Sequence, residues 1–393
     1  MSPTPSTNSD TLTFPWRDGN RFELLVDGGA FFPAMLEAVA AARSFVLLEM
    51  YLVESGQVAD QFITAFCDAA ARGVAVYLLL DDFGSRGLKR PDRERLRTGQ
   101  VHVAYFNRLH YGYGRLRYNL FRDHRKVLVI DGVRAFVGGL GLTDEFAPVR
   151  PDQPPWRETV VAIAGPVVAD WHDLFVHTWR RYAHSAVNPP SAVPSAVAGS
   201  QAGRVCYTRG IAYPEIQRSV LNRVRGAVQR VWIATAYFVP SGKLRRALIH
   251  SARRGVDVRL LLPGPHSDHP AVRHAGRRFY YRLLHHGVRI FEYQPRFTHS
   301  KVLLCDEWVS IGSSNIDRWT MRWNLEANQE IADEDFAAEV HVMLNHDFAE
   351  CEEYQLPHWK NRPWYRRLLE RFWGGVDIWL ERWFGGHDKS PRG

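Results

Sequence analysis

Apolar residues along the chain recur at two alternating periods. From Phe32 to Arg43 they fall at helical spacing, and from Phe45 to Tyr51 they form a short, almost unbroken run of strand character. Gln57 to Arg72 returns to the helical pattern, Arg72-Gly73 stops it, and Val74 to Leu80 is rich in β-branched and apolar residues. The same order then repeats: helical Gln217 to Gln229, strand-like Val231 to Tyr237, helical Lys243 to Arg253, the stop Arg254-Gly255, and strand-like Val256 to Leu262. Strands alternating with amphipathic helices predict an α/β fold, here as two pseudo-symmetric repeats, each a mixed sheet flanked by helices. The expected organisation is a loose Ser/Thr/Pro-rich tail over 1–13, a first repeat over 14–181, a linker over 182–203, a second repeat over 204–356, and a Trp/Arg-rich amphipathic tail over 357–393. The linker is the longest stretch free of formal charge. Pro189, Pro190, Pro194 and four serines make it unfit for a bilayer-spanning helix, and no other stretch comes closer.

The repeat carries matched chemistry. His124, Lys126 and Asp131 stand in FRDHRKVLVIDG, and His299, Lys301 and Asp306 stand in RFTHSKVLLCDE. Both triplets have the spacing H-x-K-x4-D, and a single offset of 175 residues relates all three pairs. Short β-rich runs follow, ending in Gly138-Gly139 and in Gly312-Ser313-Ser314-Asn315. Side chains alternate along a strand, so the histidine and lysine of each motif face one side. If the repeats pack face to face, two imidazoles and two ammonium groups converge on one interfacial site suited to a phosphodiester. One histidine attacks phosphorus, the other protonates the leaving oxygen, and the lysines hold the non-bridging oxygens. This chemistry calls for no metal and no cofactor. One such motif alone reads equally well as an ordinary strand end in solvent; two in register favour the catalytic reading.

The motif aspartates need a separate argument. Asp131 lies seven residues beyond His124, which along a straight strand at about 3.3 Å per residue is roughly 20 Å or more. Asp131 and Asp306 are therefore read as members of the motif that close the turn after each strand. A nucleophilic histidine still wants a carboxylate on its other ring nitrogen. Glu158, in WRETVVAIAG, and Glu326, in WNLEANQEIAD, are the candidates. The expected pairing is Glu158 with His124 and Glu326 with His299, with Ser313 and Asn315 as further supporting groups; strand-edge glutamates in solvent are the alternative.

Charge narrows the substrate only partly. Lys+Arg of 50 against Asp+Glu of 42 gives +8, and only six of the basic residues are lysines, an excess that suits nucleic acid or an anionic membrane alike. The four cysteines are scattered, without the pairing of a disulfide scaffold or a zinc site. The N-terminus has no basic stretch followed by an apolar one and does not read as a secretory signal. Location is more informative. In the tail, Trp359, Trp364, Trp373, Trp379 and Trp383 interleave with five arginines, and Leu369, Phe372, Val376, Trp379 and Trp383 share one helical face. That pattern suits the interface of an anionic membrane, with docking onto the protein body as the alternative. Basic and aromatic stretches also run through Arg108–Arg122 and Arg273–Tyr281, where Arg117, Arg122, Arg273 and Arg277 are candidates for lipid phosphates. The same composition would suit a single-stranded nucleic acid groove.

The paired motifs, with Gly312-Ser313-Ser314-Asn315 after the second, resemble the phospholipase D superfamily. WRDGNRFELLVDG from Trp16, WRE followed by AGPVVAD, and SSNIDRW followed by NLEAN narrow the likeness to the bacterial cardiolipin synthases, in the branch without N-terminal membrane helices. The likeness covers about residues 14–335. It implies a phosphohistidine intermediate and transfer of a phosphatidyl group from phosphatidylglycerol to the head-group hydroxyl of another phospholipid, with release of glycerol. His124 matches the position taken as nucleophile and His299 the acid/base. The expected partners are phosphatidylglycerol, other phospholipids and an anionic membrane surface, with no nucleic acid, at the cytoplasmic side of a bacterial cell membrane. A phospholipase D-type phosphodiesterase is the alternative. Gly138-Gly139-Leu140-Gly141 and Trp319-Thr320 depart from the commonest family pattern and leave the acceptor open.

Overall fold

The computed structural model describes residues 12–110, 119–149, 153–191, 195–210, 212–317, 320–360 and 373. The first half runs β1 (Arg17–Val26), α1 (Gly28–Ala40), β2 (Phe45–Met50), α2 (Gln57–Ala71), β3 (Ala75–Asp81), α3 (Arg90–Thr98), β4 (His102–Phe106), β5 (Lys126–Ile130), β6 (Arg134–Gly138), β7 (Thr159–Ala164) and α4 (Val167–Tyr182). The second runs β8 (Gln201–Arg209), β9 (Tyr213–Pro214), α5 (Glu215–Gly226), β10 (Arg230–Thr235), β11 (Phe238–Val239), α6 (Gly242–Arg253), β12 (Asp257–Pro263), α7 (Pro270–Arg277), α8 (Tyr280–His285), β13 (Arg289–Tyr293), β14 (Lys301–Cys305) and β15 (Trp308–Gly312). It closes with β16 (Ile316–Asp317), α9 (Thr320–Trp323), β17 (Leu325–Ala332), α10 (Glu334–Ala349), β18 (Cys351–Tyr354) and α11 (Leu356–Lys360).

Local sequence explains these elements. Every side chain of β2 is buried, as expected of a parallel strand covered on both faces. In α2, Val58, Ala59, Phe62, Ile63, Phe66 and Ala69 form the buried stripe, and Gly73 leaves the helix at a positive φ of 87°. Ser241 and Asp333 cap α6 and α10, accepting from the backbone N–H of Leu244 and Phe336.

The repeats are visible in the strand order. The main sheet reads β18-β13-β12-β10-β14-β15-β17-β8-β1-β7-β6-β5-β2-β3-β4, so each half has the same order outward from the β8/β1 seam, with β18 added at one edge. Strands β2, β3 and β4 are parallel, as are β10, β12 and β13. One core, containing Trp171 of α4 and Phe336 of α10, spans both halves on one face of the sheet. On the other face, α1 and α2 cover the first half and α5 and α6 the second.

The linker is short of strand-free length, because β8 already begins at Gln201. Trp359 docks on the body, 1% exposed and packed against Tyr280 and Tyr354; that part of the tail is core. The proposed interfacial stripe of the tail, Leu369, Phe372, Val376, Trp379 and Trp383, lies outside the described residues; of the other tail tryptophans, Trp373 is helical and half-buried. No helix among the described residues is long and apolar enough to cross a membrane.

Candidate active site

Both motifs reach the same edge of the sheet by the same route. Register sets Met50 opposite Lys126 and Thr235 opposite Lys301. Each motif lysine thus enters at the C-terminal end of a central parallel strand, the edge at which open α/β sheets collect ligands. Lys126 Nζ donates to the His124 carbonyl at 2.6 Å and lies 4.9 Å from the Tyr51 ring centroid, while the His124 and Tyr51 rings meet edge to face at 4.8 Å. Lys301 Nζ donates to the His299 carbonyl and lies 2.9 and 3.1 Å from the two ring nitrogens of His299. Trp156, Phe146 and Phe297 wall His299 at 5.5 to 5.8 Å.

The glutamates are exchanged relative to the expected pairing. Nδ1 of His124 lies 2.9 Å from Glu326 Oε1, and Nδ1 of His299 lies 2.7 Å from Glu158 Oε2. Within one half, the glutamate and the histidine stand at the ends of strands separated by a third, which puts them roughly 10 Å apart across the sheet. The opposite half supplies what the own half cannot. Leu325 N donates to Arg122 O at 2.9 Å and His124 N to Leu325 O at 3.0 Å; Arg157 N donates to Phe297 O at 2.9 Å and His299 N to Arg157 O at 2.8 Å. The residue before each glutamate therefore clasps the opposite motif, and the glutamate is carried onto the opposite histidine. One-dimensional order records no trace of this crossing.

The surroundings of the two glutamates differ in a way that explains one sequence departure. Ser313 Oγ donates to the Glu326 carboxylate. Its counterpart just past β6 is Gly139, where an added Cβ would stand 2.3 Å from Glu158 Oε2. Glu158 occupies that space, so the first motif is followed by Gly-Gly because a serine would collide. Asn315 is buried; Thr235 Oγ1 lies 3.5 Å from its Oδ1, and its Nδ2 has no partner among the described residues.

Electrostatics follow from enclosing four cations and anions together. Burial, then Lys126 and Lys301, holds His124 well below the ordinary imidazole range, and burial with Lys301 does the same for His299. Burial lowers Lys126 to about 7, against the attraction of Glu326, and lowers Lys301 as well. It also raises Glu158 to about 7 and Glu326 to about 8, against the pull of Lys301 and Lys126 respectively. Each carboxyl, neutral or ionised, can accept from Nδ1–H and so orient its imidazole, and once ionised it stabilises the imidazolium; the neutral imidazole is a competent base or nucleophile.

The remaining sequence candidates divide. Asp131 and Asp306 stand in turns at φ 53° and 52° and away from the site. Asp131 accepts from the N–H groups of Arg43, Ser44 and Phe45 at 2.8 to 2.9 Å, and Asp306 from Val228, Gln229 and Arg230 at 2.9 Å. They are turn-closing groups, as the strand-length argument requires. Arg122, Arg273 and Arg277 do not serve as open phosphate sites. Arg122 is buried against Asp81 and the carbonyls of Asn107 and Phe121, and Arg273 and Arg277 both pair with buried Glu292. Each is engaged by a carboxylate that would otherwise be stranded in the interior, Arg273 and Arg277 sharing the one of Glu292. Arg117 lies outside the described residues.

Sequence reasoning missed a charged layer behind His124. Arg125 donates to Glu49 at 3.2 Å and to Thr178 at 2.8 Å, while the N–H of Asp123 donates to Asp81 at 3.0 Å. The available signal was Glu49, the lone charge in the apolar run FVLLEM.

Comparison with known proteins agrees with this construction. A family model described as cardiolipin synthase, phospholipase D-like domain matches residues 35–173 and 220–348, one stretch in each half. The chain is 37% identical over 344 residues to cardiolipin synthase A of Pseudomonas entomophila L48, covering 86% of this chain and 71% of that protein. It is 36% identical over 345 residues to cardiolipin synthase A of Pseudomonas aeruginosa LESB58, covering 86% and 69%. In fold it is similar to phosphatidylserine synthase of Haemophilus influenzae Rd KW20, with a TM-score of 0.71 at 13% identity over 92% of this chain and 94% of that one. Polyphosphate kinase of Porphyromonas gingivalis shares the fold at a TM-score of 0.57 and 14% identity, over 91% of this chain and 53% of its own. Two motif-bearing halves, one shared site and relatives matched over most of their length place the chain in the cardiolipin synthase family of phospholipase D-like proteins.

Proposed function

We propose that the protein is a phosphatidyltransferase that makes cardiolipin from two molecules of phosphatidylglycerol. The observation that carries this reading is the pair of crosswise Glu–His contacts with both motif lysines enclosed beside them. In the first step a neutral histidine, His124 by its match to the family's nucleophile, attacks phosphorus; the nitrogen–phosphorus bond forms as the bond to the glycerol oxygen breaks. His299, charged as the imidazolium once the phosphodiester anion is bound and Glu158 is ionised beside it, gives the proton on its second ring nitrogen to that oxygen and glycerol leaves. In the second step the head-group hydroxyl of another phosphatidylglycerol loses its proton to His299 and attacks phosphorus, and the nitrogen–phosphorus bond breaks. Lys126 and Lys301 bear the negative charge of the phosphoryl oxygens throughout. Glu326 and Glu158 keep Nδ1 of each ring protonated, so that the other nitrogen does the chemistry. The substrates lie in a membrane, and we place the protein peripherally at the cytoplasmic surface of a bacterial membrane, where anionic lipid matches its net charge of +8.

The test is incubation of the purified protein with phosphatidylglycerol vesicles without added metal. Cardiolipin and free glycerol are expected, and His124→Ala or His299→Ala should each lower the rate at least about 1000-fold with the fold retained. Phosphatidic acid as the sole product would replace the reading with a hydrolase.

A further inference from the structure

The loop that Tyr237 reaches beside the site carries a carboxylate that the chemistry above leaves unused. Asp268 stands in the loop between β12 and α7, and its Oδ2 accepts from the hydroxyl of Tyr237. Tyr237 is firmly placed. It follows by two residues Thr235, the register partner of Lys301, and Thr235 Oγ1 donates to the Tyr237 carbonyl at 3.1 Å while accepting from Ile316 N at 3.2 Å. His269 approaches the same oxygen, with Nε2 3.7 Å from Asp268 Oδ2 and its ring 5.6 Å from that of Tyr237. No partner for Oδ1 occurs among the described residues, and the Asp268 side chain keeps 21% of its surface exposed. Its negative charge reaches the chemistry, acting on both His299 and Lys301.

A carboxylate beside the site is a poor neighbour for a phosphodiester, which is itself an anion. It is a good acceptor for hydroxyl groups. A carboxylate with one oxygen held and the other free takes a charge-assisted hydrogen bond from a polyol, and a diol can present a second hydroxyl to the same group. The lysines and Asp268 thus sort one substrate into two parts, phosphate to the lysines and head group to the carboxylate.

We propose that Asp268, braced by Tyr237, is a specificity-determining residue that binds the hydroxyls of the glycerol head group and so selects a polyol acceptor over a monohydric alcohol. The proposal rests on the phosphatidyl-transfer reading and names the residue that chooses its acceptor. The test offers phosphatidylglycerol vesicles isotopically labelled glycerol and ethanol in competition. The readout is the ratio of label in phosphatidylglycerol to label in phosphatidylethanol. Asp268→Asn is expected to lower that ratio about tenfold, and Tyr237→Phe, which frees the carboxylate to turn away, about threefold. An unchanged ratio, or equal loss of both products, marks a structural role and overturns the proposal. A folded wild-type protein that labels neither product overturns the transfer reading itself, a failure distinct from an active variant with an unaltered ratio.

Discussion

Lys126 shows how far one residue can be tuned by where it is put. It is 2% exposed, and burial brings its ammonium down to about 7, while burial raises the neighbouring Glu326 to about 8. Below that window in the free protein, the lysine is charged and the glutamate neutral. As pH rises through it both lose a proton, and the site becomes more negative just where an anionic phosphodiester must bind. The expected outcome is an alkaline fall in kcat/KM between about pH 7 and 8. Bound phosphate stabilises the ammonium, so the corresponding fall in kcat should lie at higher pH, and Lys126→Arg, which cannot be neutralised in this range, should lose the part of the kcat/KM fall that lysine deprotonation causes and keep only the shallower part due to Glu326. Rates measured across pH 5 to 10 on phosphatidylglycerol vesicles check this; a kcat/KM flat to pH 9 in the wild type would refute it. The nucleophile imposes the opposite limit. His124 must be neutral to attack and is held well below the usual imidazole range, so the acid limb that it sets should be displaced downward.

At the scale of elements, the aspartates of the motifs belong to the turns that set the register of β2 against β5 and of β10 against β14. Asp306 accepts three backbone N–H groups, and these hold its carboxyl below the usual range although burial opposes them. A depressed carboxyl contributes stability that is present above its unfolded value and lost as pH falls through the folded one. Asp306→Ala should therefore cost about 1–3 kcal/mol at neutral pH, less in acid, as urea unfolding at pH 7 and pH 3 would show; equal losses at both would remove the role. The strand-length argument found this turn role because it needed only a rise per residue. The same arithmetic could not see the glutamate exchange. Periodicity marked β2, β3, α2, β10, β12 and α6 to within about a residue or two, since each is fixed by its own apolar pattern. Glu326 meets His124, 202 residues away in sequence, only because Leu325 clasps the loop that carries it, a contact made by assembly and not by local pattern. Arginine composition misled for a related reason: Arg277 looks like a phosphate ligand until Glu292 appears beneath it.

The whole molecule is organised so that neither half owns a complete site. His124 comes from the first half and its carboxylate from the second; His299 comes from the second and its carboxylate from the first. The halves are joined by more than the linker. Beta-strand β1 pairs with β8, Trp171 Nε1 donates to Gln329 at 2.8 Å, Arg157 pairs with buried Asp347 at 2.9 Å, and one apolar core runs across the seam. Each of these contacts survives if the chain is cut between residues 193 and 194, because every residue that makes them stays with its own half. The entropic advantage of tethering grows only slowly with linker length, whereas losing the shared core would expose many buried apolar side chains at about 25 cal/mol per Å². Residues 1–193 and 194–393 produced together as two chains are therefore expected to copurify and to convert phosphatidylglycerol at a rate within about tenfold of the intact protein. Either chain alone should be inactive. Pairing a Glu326→Gln second chain with a wild-type first chain should depress the step that uses His124, seen as slower burst formation of the phosphatidylated first chain in samples quenched with denaturing detergent at alkaline pH. If that burst were unaffected by Glu326→Gln but lost with Glu158→Gln, the crosswise pairing would not be the arrangement that operates in catalysis.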